Sequence, residues 1–568
     1  MNEKSLSVEN LYIQYNQGSS FAVNNISLKL QLGESIGIIG ESGSGKSSIG
    51  KALMGLLNKE ATVKGEIYYN HLNLNAFDEK KWNEYRWDKI AIVFQNSLDI
   101  LNPVLTLKEQ IEEAIIRHKK EMNKETRLKT IIDVFNKVKL DYKWVNRYPH
   151  QISGGMRQKF LIAMALSCDP DILIIDEPTT ALDSLSKKEI VDLLNDLKKE
   201  KSMIIISHEI QIIEKLTSKV IVMYLGNIVE QGNTTEVINN PFHPYTRGLV
   251  GASPEVNTYR DLWGIPGEIE GDTQNNTIGC PFYNRCNQRI NECARKRPEI
   301  KKISNSRQIS CVRGGIVTIL KAENISKTYK DKNQKIPACH NCNIVIKSGE
   351  VVAVIGETGS GKSTLAEILI GVLNPDTGKI LFENREVVKF NETSKKNGMQ
   401  MIFQDPLSAT NEKLTVEEVI SEPLEIQKIG NKEDRINEVK KVLKDVQLPQ
   451  DEHFLKNKCY KLSGGQRQRV AIARSLILEP KVLIADEISS MLDPSTQANI
   501  IRLLKGLQNK KGFSMLYITH DLALSRKIAD RIYVMYKGDI VEEGNAKNLL
   551  NNPKKEYTRN LIKASGIL

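Results

Sequence analysis

The sequence predicts an α/β protein in which one domain occurs twice, and three observations predict it. A short apolar run followed by a glycine-rich loop ending in Lys-Ser appears as Gly40-Glu-Ser-Gly-Ser-Gly-Lys-Ser47 and again as Gly356-Glu-Thr-Gly-Ser-Gly-Lys-Ser363. Four further motifs recur in the same order: Val93-Phe-Gln95 with Ile402-Phe-Gln404, Ser153-Gly-Gly155 with Ser463-Gly-Gly465, Ile174-Ile-Asp-Glu177 with Ile484-Ala-Asp-Glu487, and Ser207-His208 with Thr519-His520. All five pairs are separated by between 309 and 316 residues, the signature of a duplicated domain. Third, the continuous apolar runs Ile172–Ile175 and Met203–Ile206 read as strands buried on both faces of a parallel sheet.

In order along the first copy, residues 34–39 read as a strand, Ser47–Leu57 as the helix after the glycine-rich loop, and Ile131–Leu140 and Glu189–Lys198 as intervening helices. The copies run over residues 1–254 and 316–568. Residues 255–315 are rich in Asn, Arg, Pro and Cys and show no helical or strand period, so they read as an appendage to the first domain plus a linker.

The chain's 568 residues are ample for sizeable cores, and 40% apolar with 26% charged residues is ordinary for a globular protein. No apolar run approaches the roughly 18 residues needed to span a bilayer. The N-terminus has no apolar segment of a secretory signal, so the chain reads as cytosolic or membrane-peripheral. A net charge of +11 with scattered lysines and 6% aromatics reads as a solvated surface, and nucleic acid is not expected as a partner.

The glycine-rich loops are P-loops, whose backbone N–H groups cradle phosphate at a helix N-terminus. The expected nucleotide ligands are Gly40, Ser42, Gly43, Gly45, Lys46, Ser47 and Ser48 in the first copy, and Gly356, Thr358, Gly359, Gly361, Lys362, Ser363 and Thr364 in the second. Lys46 and Lys362 would reach the β- and γ-phosphates, and Ser47 and Ser363 would ligate Mg²⁺. Asp176 and Asp486 end apolar strands and would hold the same ion, while Glu177 and Glu487 would orient or deprotonate the attacking water. His208 and His520, each just after a strand, would sense the γ-phosphate.

Leu462-Ser-Gly-Gly-Gln466, followed by Arg-Gln-Arg and then Asp486-Glu487, resembles the signature of ABC-type ATPases, with Ile152-Ser-Gly-Gly-Met156 as a variant in the first copy. The resemblance implies two ATP-Mg sites formed head to tail, the P-loop of one domain facing Ser153, Gly154 and Gly155 or Ser463, Gly464, Gly465 and Gln466 of the other. It makes Gln95 and Gln404 the residues linking Mg²⁺ to a transmembrane partner, Tyr15 and Tyr329 the aromatics on adenine, and Asp183 and Asp493 the D-loop aspartates. More narrowly, Tyr148-Pro-His-Gln-Ile-Ser-Gly-Gly-Met156, Ser97 with Leu101-Asn-Pro103, and His243-Pro-Tyr-Thr-Arg-Gly-Leu249 resemble the ATPase subunits of bacterial dipeptide, oligopeptide and nickel importers. The first copy is similar to the D-type subunit and the second to its F-type partner, fused in one chain.

That resemblance implies an ATPase powering import of peptides, nickel or a metal chelate. It would work at the cytoplasmic face of the bacterial plasma membrane with two transmembrane permease subunits and, indirectly, an external substrate-binding protein. The alternative is a soluble tandem translation factor of the ABC-F kind acting on ribosomes, which calls for a long charged helical linker. The second copy departs from the importer pattern at Ile488, at Ser408-Ala-Thr-Asn411 and at Lys554-Lys-Glu-Tyr-Thr558, which leaves its catalytic groups in place.

Cys280, Cys286, Cys293 and Cys311 crowd into the segment between the copies. In a chain read as cytosolic this suggests a metal more than disulfides, and four thiolates suit iron–sulfur or zinc, with free thiols as the alternative. The spacing matches the D-type subunits' C-terminal extension, which implies a four-iron, four-sulfur cluster. Cys339-His-Asn-Cys342 falls on Val23 and Ile26 of the first copy and reads as small buried residues.

Overall fold

The structure is a computed structural model that describes residues 5–15, 21–58, 60–95, 100–253, 264–267, 278–331, 334–387, 394–405, 411–488 and 493–566. Ser97, residues 408–410 of the departing motif, and the junction at 254–255 lie outside them. The chain forms two compact units. One comprises Met1–Asn257, Glu268–Asn284 and Ile290–Gly315; the other comprises Thr258–Gly267, Arg285–Arg289 and Ile316–Leu568.

In the first unit β1 (Ser5–Gln14), β2 (Phe21–Gln31), β4 (Thr62–Tyr69) and β5 (Leu72–Asn73) make an antiparallel sheet in the order β2-β1-β4-β5. The larger sheet contains β3 (Ser35–Ile39), β6 (Ile90–Val93), β7 (Ile172–Asp176), β8 (Ser202–Ile206), β9 (Lys219–Tyr224), β10 (Asn227–Asn233), β11 (Ile300–Ser304) and β12 (Arg307–Ser310). Its order is β11-β12-β10-β9-β3-β8-β7-β6, parallel from β9 to β6. Every residue of β3, β7 and β8 is buried, as their unbroken apolar sequences require. The helices that matter below are α1 (Lys46–Leu53), α2 (Lys124–Lys137), α3 (Gly154–Leu166), α4 (Ser184–Leu197) and α5 (Pro244–Ala252).

The second unit repeats this plan. β13 (Thr318–Asp331), β14 (Gln334–Lys347), β16 (Thr377–Phe382) and β17 (Arg385–Glu386) form the antiparallel sheet. β15 (Val351–Ile355), β18 (Met399–Ile402), β19 (Val482–Asp486), β20 (Ser514–Thr519), β21 (Arg531–Tyr536) and β22 (Asp539–Asn545) form the other, in the order β18-β19-β20-β15-β21-β22. Its helices include α6 (Lys362–Ile370), α7 (Lys432–Asp445), α8 (Gly464–Leu476) and α9 (Pro494–Lys511). Cys339 and Cys342 are each 1% exposed in the core beside α6, as expected of small buried residues.

The stretch read as lacking any period holds a hairpin: β11 and β12 pair with each other and β12 pairs with β10, lengthening the first unit's sheet. All five β11 side chains are exposed, so no apolar alternation marked the strand. Buried Arg307 on β12 anchors it to buried Glu230 on β10, Nε donating to Oε1 at 3.0 Å, and the guanidinium lies 3.9 Å over the Phe242 ring. Among the described residues no helix is long and apolar enough to cross a membrane.

Candidate active sites

In each unit the central strand runs into the P-loop and its neighbours end beside it, where open α/β sheets place their ligands. The loop after β3 closes round Lys46, whose Nζ donates to the carbonyls of Gly40 at 2.8 Å and Glu41 at 3.0 Å. Lys362 does the same to Gly356 at 2.9 Å and Glu357 at 2.8 Å. The chain turns into each helix at a left-handed residue that must be glycine: Gly45 has φ 95° and Gly361 φ 102°. A Cβ at Gly45 would stand 2.1 Å from the Ala22 carbonyl oxygen, and one at Gly361 1.8 Å from that of Ala338. Burial holds both lysines below the usual ammonium range, opposed by the adjacent carboxylates Glu177 and Asp176 or Glu487 and Asp486. A poorly solvated cation inside a ring of backbone groups is suited to a phosphate. Ser42, Gly43, Thr358 and Gly359 form the exposed loop tips, and Ser48 and Thr364 lie in the first turns of α1 and α6.

Asp176 ends β7 and accepts a hydrogen bond from the Ser47 hydroxyl; Asp486 ends β19 and accepts one from Ser363. Burial raises the Asp176 carboxyl above its ordinary value and pushes Asp486 up to about 6. In both, Oδ1 is buried without a hydrogen-bond partner. An orphaned carboxylate oxygen beside a serine hydroxyl at a phosphate loop fits Mg²⁺, which takes one or two protein oxygens and completes its shell with water and substrate phosphate.

Glu177 and Glu487 follow directly, both in the left-handed region at φ 53° and 43°. Their N–H groups donate to the carbonyls of Ile206 at 2.8 Å and Ile518 at 3.0 Å, which holds the turn open between neighbouring strand ends. His208 Nδ1 lies 2.7 Å from Glu177 Oε2, and His520 Nδ1 3.5 Å from Glu487 Oε1. Gln404 Nε2 donates to Glu487 Oε2 at 3.0 Å; Gln95 is exposed at the end of β6. Each unit thus gathers a P-loop lysine, a serine–aspartate pair, a carboxylate and a histidine, the groups that ATP hydrolysis needs.

The other expected residues sit on helix ends. Ser153 caps α3, its Oγ accepting from Met156 N–H at 3.3 Å. Ser463 caps α8 reciprocally with Gln466, at 3.3 Å and 3.0 Å. Gly154, Gly155, Gly464 and Gly465 open these helices, leaving N–H groups for an anion. Asp183 and Asp493 cap α4 and α9, each accepting from two backbone N–H groups at 3.0–3.1 Å. Tyr15 donates its hydroxyl to Ser48 Oγ at 3.1 Å, and Tyr329 is exposed.

Two supports escaped sequence reasoning. Tyr245 Oη accepts the Glu41 N–H at 2.9 Å, so the His-Pro-Tyr segment 204 residues downstream holds the P-loop. Glu209, next to His208, accepts from Thr179 Oγ1 at 2.7 Å and Lys187 Nζ at 3.0 Å, tying the histidine's loop to α4.

The cysteine expectation gains no support. Among the described residues no three His, Cys, Asp or Glu side chains come together as a set that could hold a metal ion, and all four cysteines are described. Cys280, Cys293 and Cys311 are buried in the first unit, the Cys280 N–H donating to the Cys293 carbonyl at 2.8 Å. Cys286 lies on the stretch Arg285–Arg289 that belongs to the second. Burial raises the Cys311 thiol above its usual value. An iron–sulfur or zinc site gains no support among the described residues, and no step is assigned to one.

The family model described as ABC transporter matches residues 23–180 and 339–490, more than half of the chain and both P-loops. The chain belongs to the ABC transporter family. A second model, the C-terminal region of oligopeptide/dipeptide transporters, matches residues 229–293 of this ABC ATPase. It is 31% identical over 587 residues to the oligopeptide transport ATP-binding protein OppD of Mycobacterium tuberculosis, covering 96% of this chain and 95% of that one. It is 36% identical over 575 residues to the glutathione import ATP-binding protein GsiA of Salmonella typhimurium, covering 98% and 89%. Both relatives span the whole tandem arrangement. The protein is an ATP-hydrolysing subunit of a membrane importer, and the ribosomal alternative gains no support.

Proposed function

We propose that this ABC ATPase powers import of small peptides, with two transmembrane permease subunits and an external substrate-binding protein, at the cytoplasmic face of a bacterial plasma membrane. The relatives' names support the peptide class. The observation that carries the catalytic reading is the matched strand end, Asp then Glu, with an orphaned Asp Oδ1 and a histidine on the Glu in both copies.

In this reading Lys46 and Lys362 bind the β- and γ-phosphates, and Ser47, Gln95 and Asp176, or Ser363, Gln404 and Asp486, hold Mg²⁺. The ion neutralises phosphate charge when bound. Glu177 and Glu487 accept the proton of the attacking water; His208 and His520 hold those carboxylates and read the γ-phosphate. Tyr15 and Tyr329 face adenine. The helix N-termini at Ser153 and Ser463 stabilise γ-phosphate charge crosswise, Ser463 for the nucleotide on Lys46 and Ser153 for that on Lys362. Asp183 and Asp493 complete each site from the D-loops.

The test is uptake of a labelled di- or tripeptide by proteoliposomes containing the purified permease complex, with ATP inside. Peptide uptake that requires ATP and is lost in the Lys46→Ala and Lys362→Ala variants supports the proposal; ATP hydrolysis unmoved by any peptide and binding protein overturns it.

A further inference from the structure

α7, α8 and α9 of the second unit enclose an open groove of about 1000 Å³. Six cations line it, Lys441, Lys444, Arg469, Arg502, Lys510 and Lys511, against one carboxylate, Asp445. A basic face is usually just solvated, but the duplicated domain supplies its own control. On the matched face of the first unit the lysines are neutralised: Lys137 by Glu200 at 3.2 Å, Lys139 by Asp196 at 3.0 Å and Lys159 by Glu189 at 2.8 Å. At the common spacing of 310 residues, the carboxylates Glu189, Asp192, Asp196 and Glu200 are replaced in the second copy by Asn499, Arg502, Gly506 and Lys510. One copy of a single fold carries a paired surface and the other a concave one in which cations outnumber carboxylates. Lys510 and Lys511 share Asp445, at 3.1 Å and 2.7 Å, Lys441 lies 3.5 Å from Glu438, and Lys444 and Arg502 have no ion pair among the described residues.

We propose that this groove binds a compact anion bearing several phosphate groups. The concavity fits a nucleotide-sized molecule. No aromatic side chain lines it, so it offers no stacking platform for bases. Its apolar floor, Leu503 and Leu507, is only 8% and 4% exposed, so there is no pocket for a peptide's hydrophobic anchor. Recognition therefore rests on charge, with Arg502 offering a planar donor fork that pairs with phosphate oxygens. The phosphate can belong to a free small molecule or to a lipid headgroup.

The test uses the full chain with both P-loops saturated by a non-hydrolysable ATP analogue and Mg²⁺. Tripolyphosphate binding is measured by calorimetry, and co-sedimentation is measured with vesicles of phosphatidylglycerol and phosphatidylcholine. The Lys444→Gln/Arg502→Gln variant should weaken binding about tenfold and flatten its salt dependence, while leaving ATP hydrolysis unchanged. A first-copy variant on the corresponding face, Lys137→Gln/Lys139→Gln, should bind as the parent does. Loss confined to tripolyphosphate identifies a free ligand; loss from vesicles identifies a headgroup. Failure of the parent to bind either probe, or equal weakening by both variants, overturns the proposal.

Discussion

Glu177 and Glu487 sit in a conformation that costs an ordinary residue about 1–3 kcal/mol, at matched positions of both copies. Such strain persists where the surroundings over-determine it, here through a backbone bond to the next strand and a histidine on the carboxylate. Glutamine keeps the shape of the side chain but cannot accept a proton. Glu177→Gln and Glu487→Gln should each keep MgATP binding, and the double variant should lose hydrolysis by about 100-fold or more; phosphate release and nucleotide occupancy measured together check this, and a parent rate in the double variant refutes the assignment. The residues gathered at each P-loop were legible in the sequence because the proposed chemistry fixes their types and the duplication repeats them. Their backbone conformation was not, since glutamate carries no local preference for positive φ.

At the scale of the element, α5 shows what its short motif does. His243 is buried and its Nδ1 accepts the Tyr245 N–H at 3.1 Å, capping the helix whose tyrosine then accepts the Glu41 N–H. Burial pulls the His243 imidazole down to about 3 from 6.5. Because the unfolded chain takes up this proton first, the stability held in full above pH 6.5 is lost as pH falls from there towards 3. The first unit should lose about 2 kcal/mol from this group between pH 7 and pH 5. In His243→Asn, whose amide oxygen can also cap, that part of the slope should vanish in denaturant titrations at the two pH values. Tyr245→Phe removes the hydroxyl that accepts the Glu41 N–H, at a cost of about 0.5–1.5 kcal/mol. MgATP affinity at the first site should fall about tenfold, read with a fluorescent nucleotide in the Glu177→Gln background. The His-Pro-Tyr segment was visible in the sequence as a family mark. Its grip on the P-loop was not, because a contact across 204 residues leaves no trace in local pattern.

For the whole molecule, the proposed crossed sites imply that the tandem copies should not behave as independent enzymes. Lys46→Ala or Lys362→Ala should each remove well over half of total ATP hydrolysis, and a loss of only half in either would refute crossed sites. The five repeated motifs made the doubled fold readable, while the all-exposed β11 hid the hairpin and the polar cysteine segment suggested a metal for which the described residues show no donor set. That hairpin also governs where the chain can be divided. In the second unit β22 ends its sheet, half-exposed and carrying Glu542 and Glu543, charges that discourage pairing with another molecule. Its counterpart β10 is covered on that edge by β12, and its Glu230 is fully buried against Arg307. A fragment stopping at residue 253 would bare the β10 edge at Glu230 and Gln231 and remove the Arg307 partner of a buried carboxylate, a loss of about 3–5 kcal/mol. It should aggregate on expression, whereas a fragment carried through Gly315 should stay monomeric in gel filtration, so the first copy owns its trailing hairpin as protection against self-association.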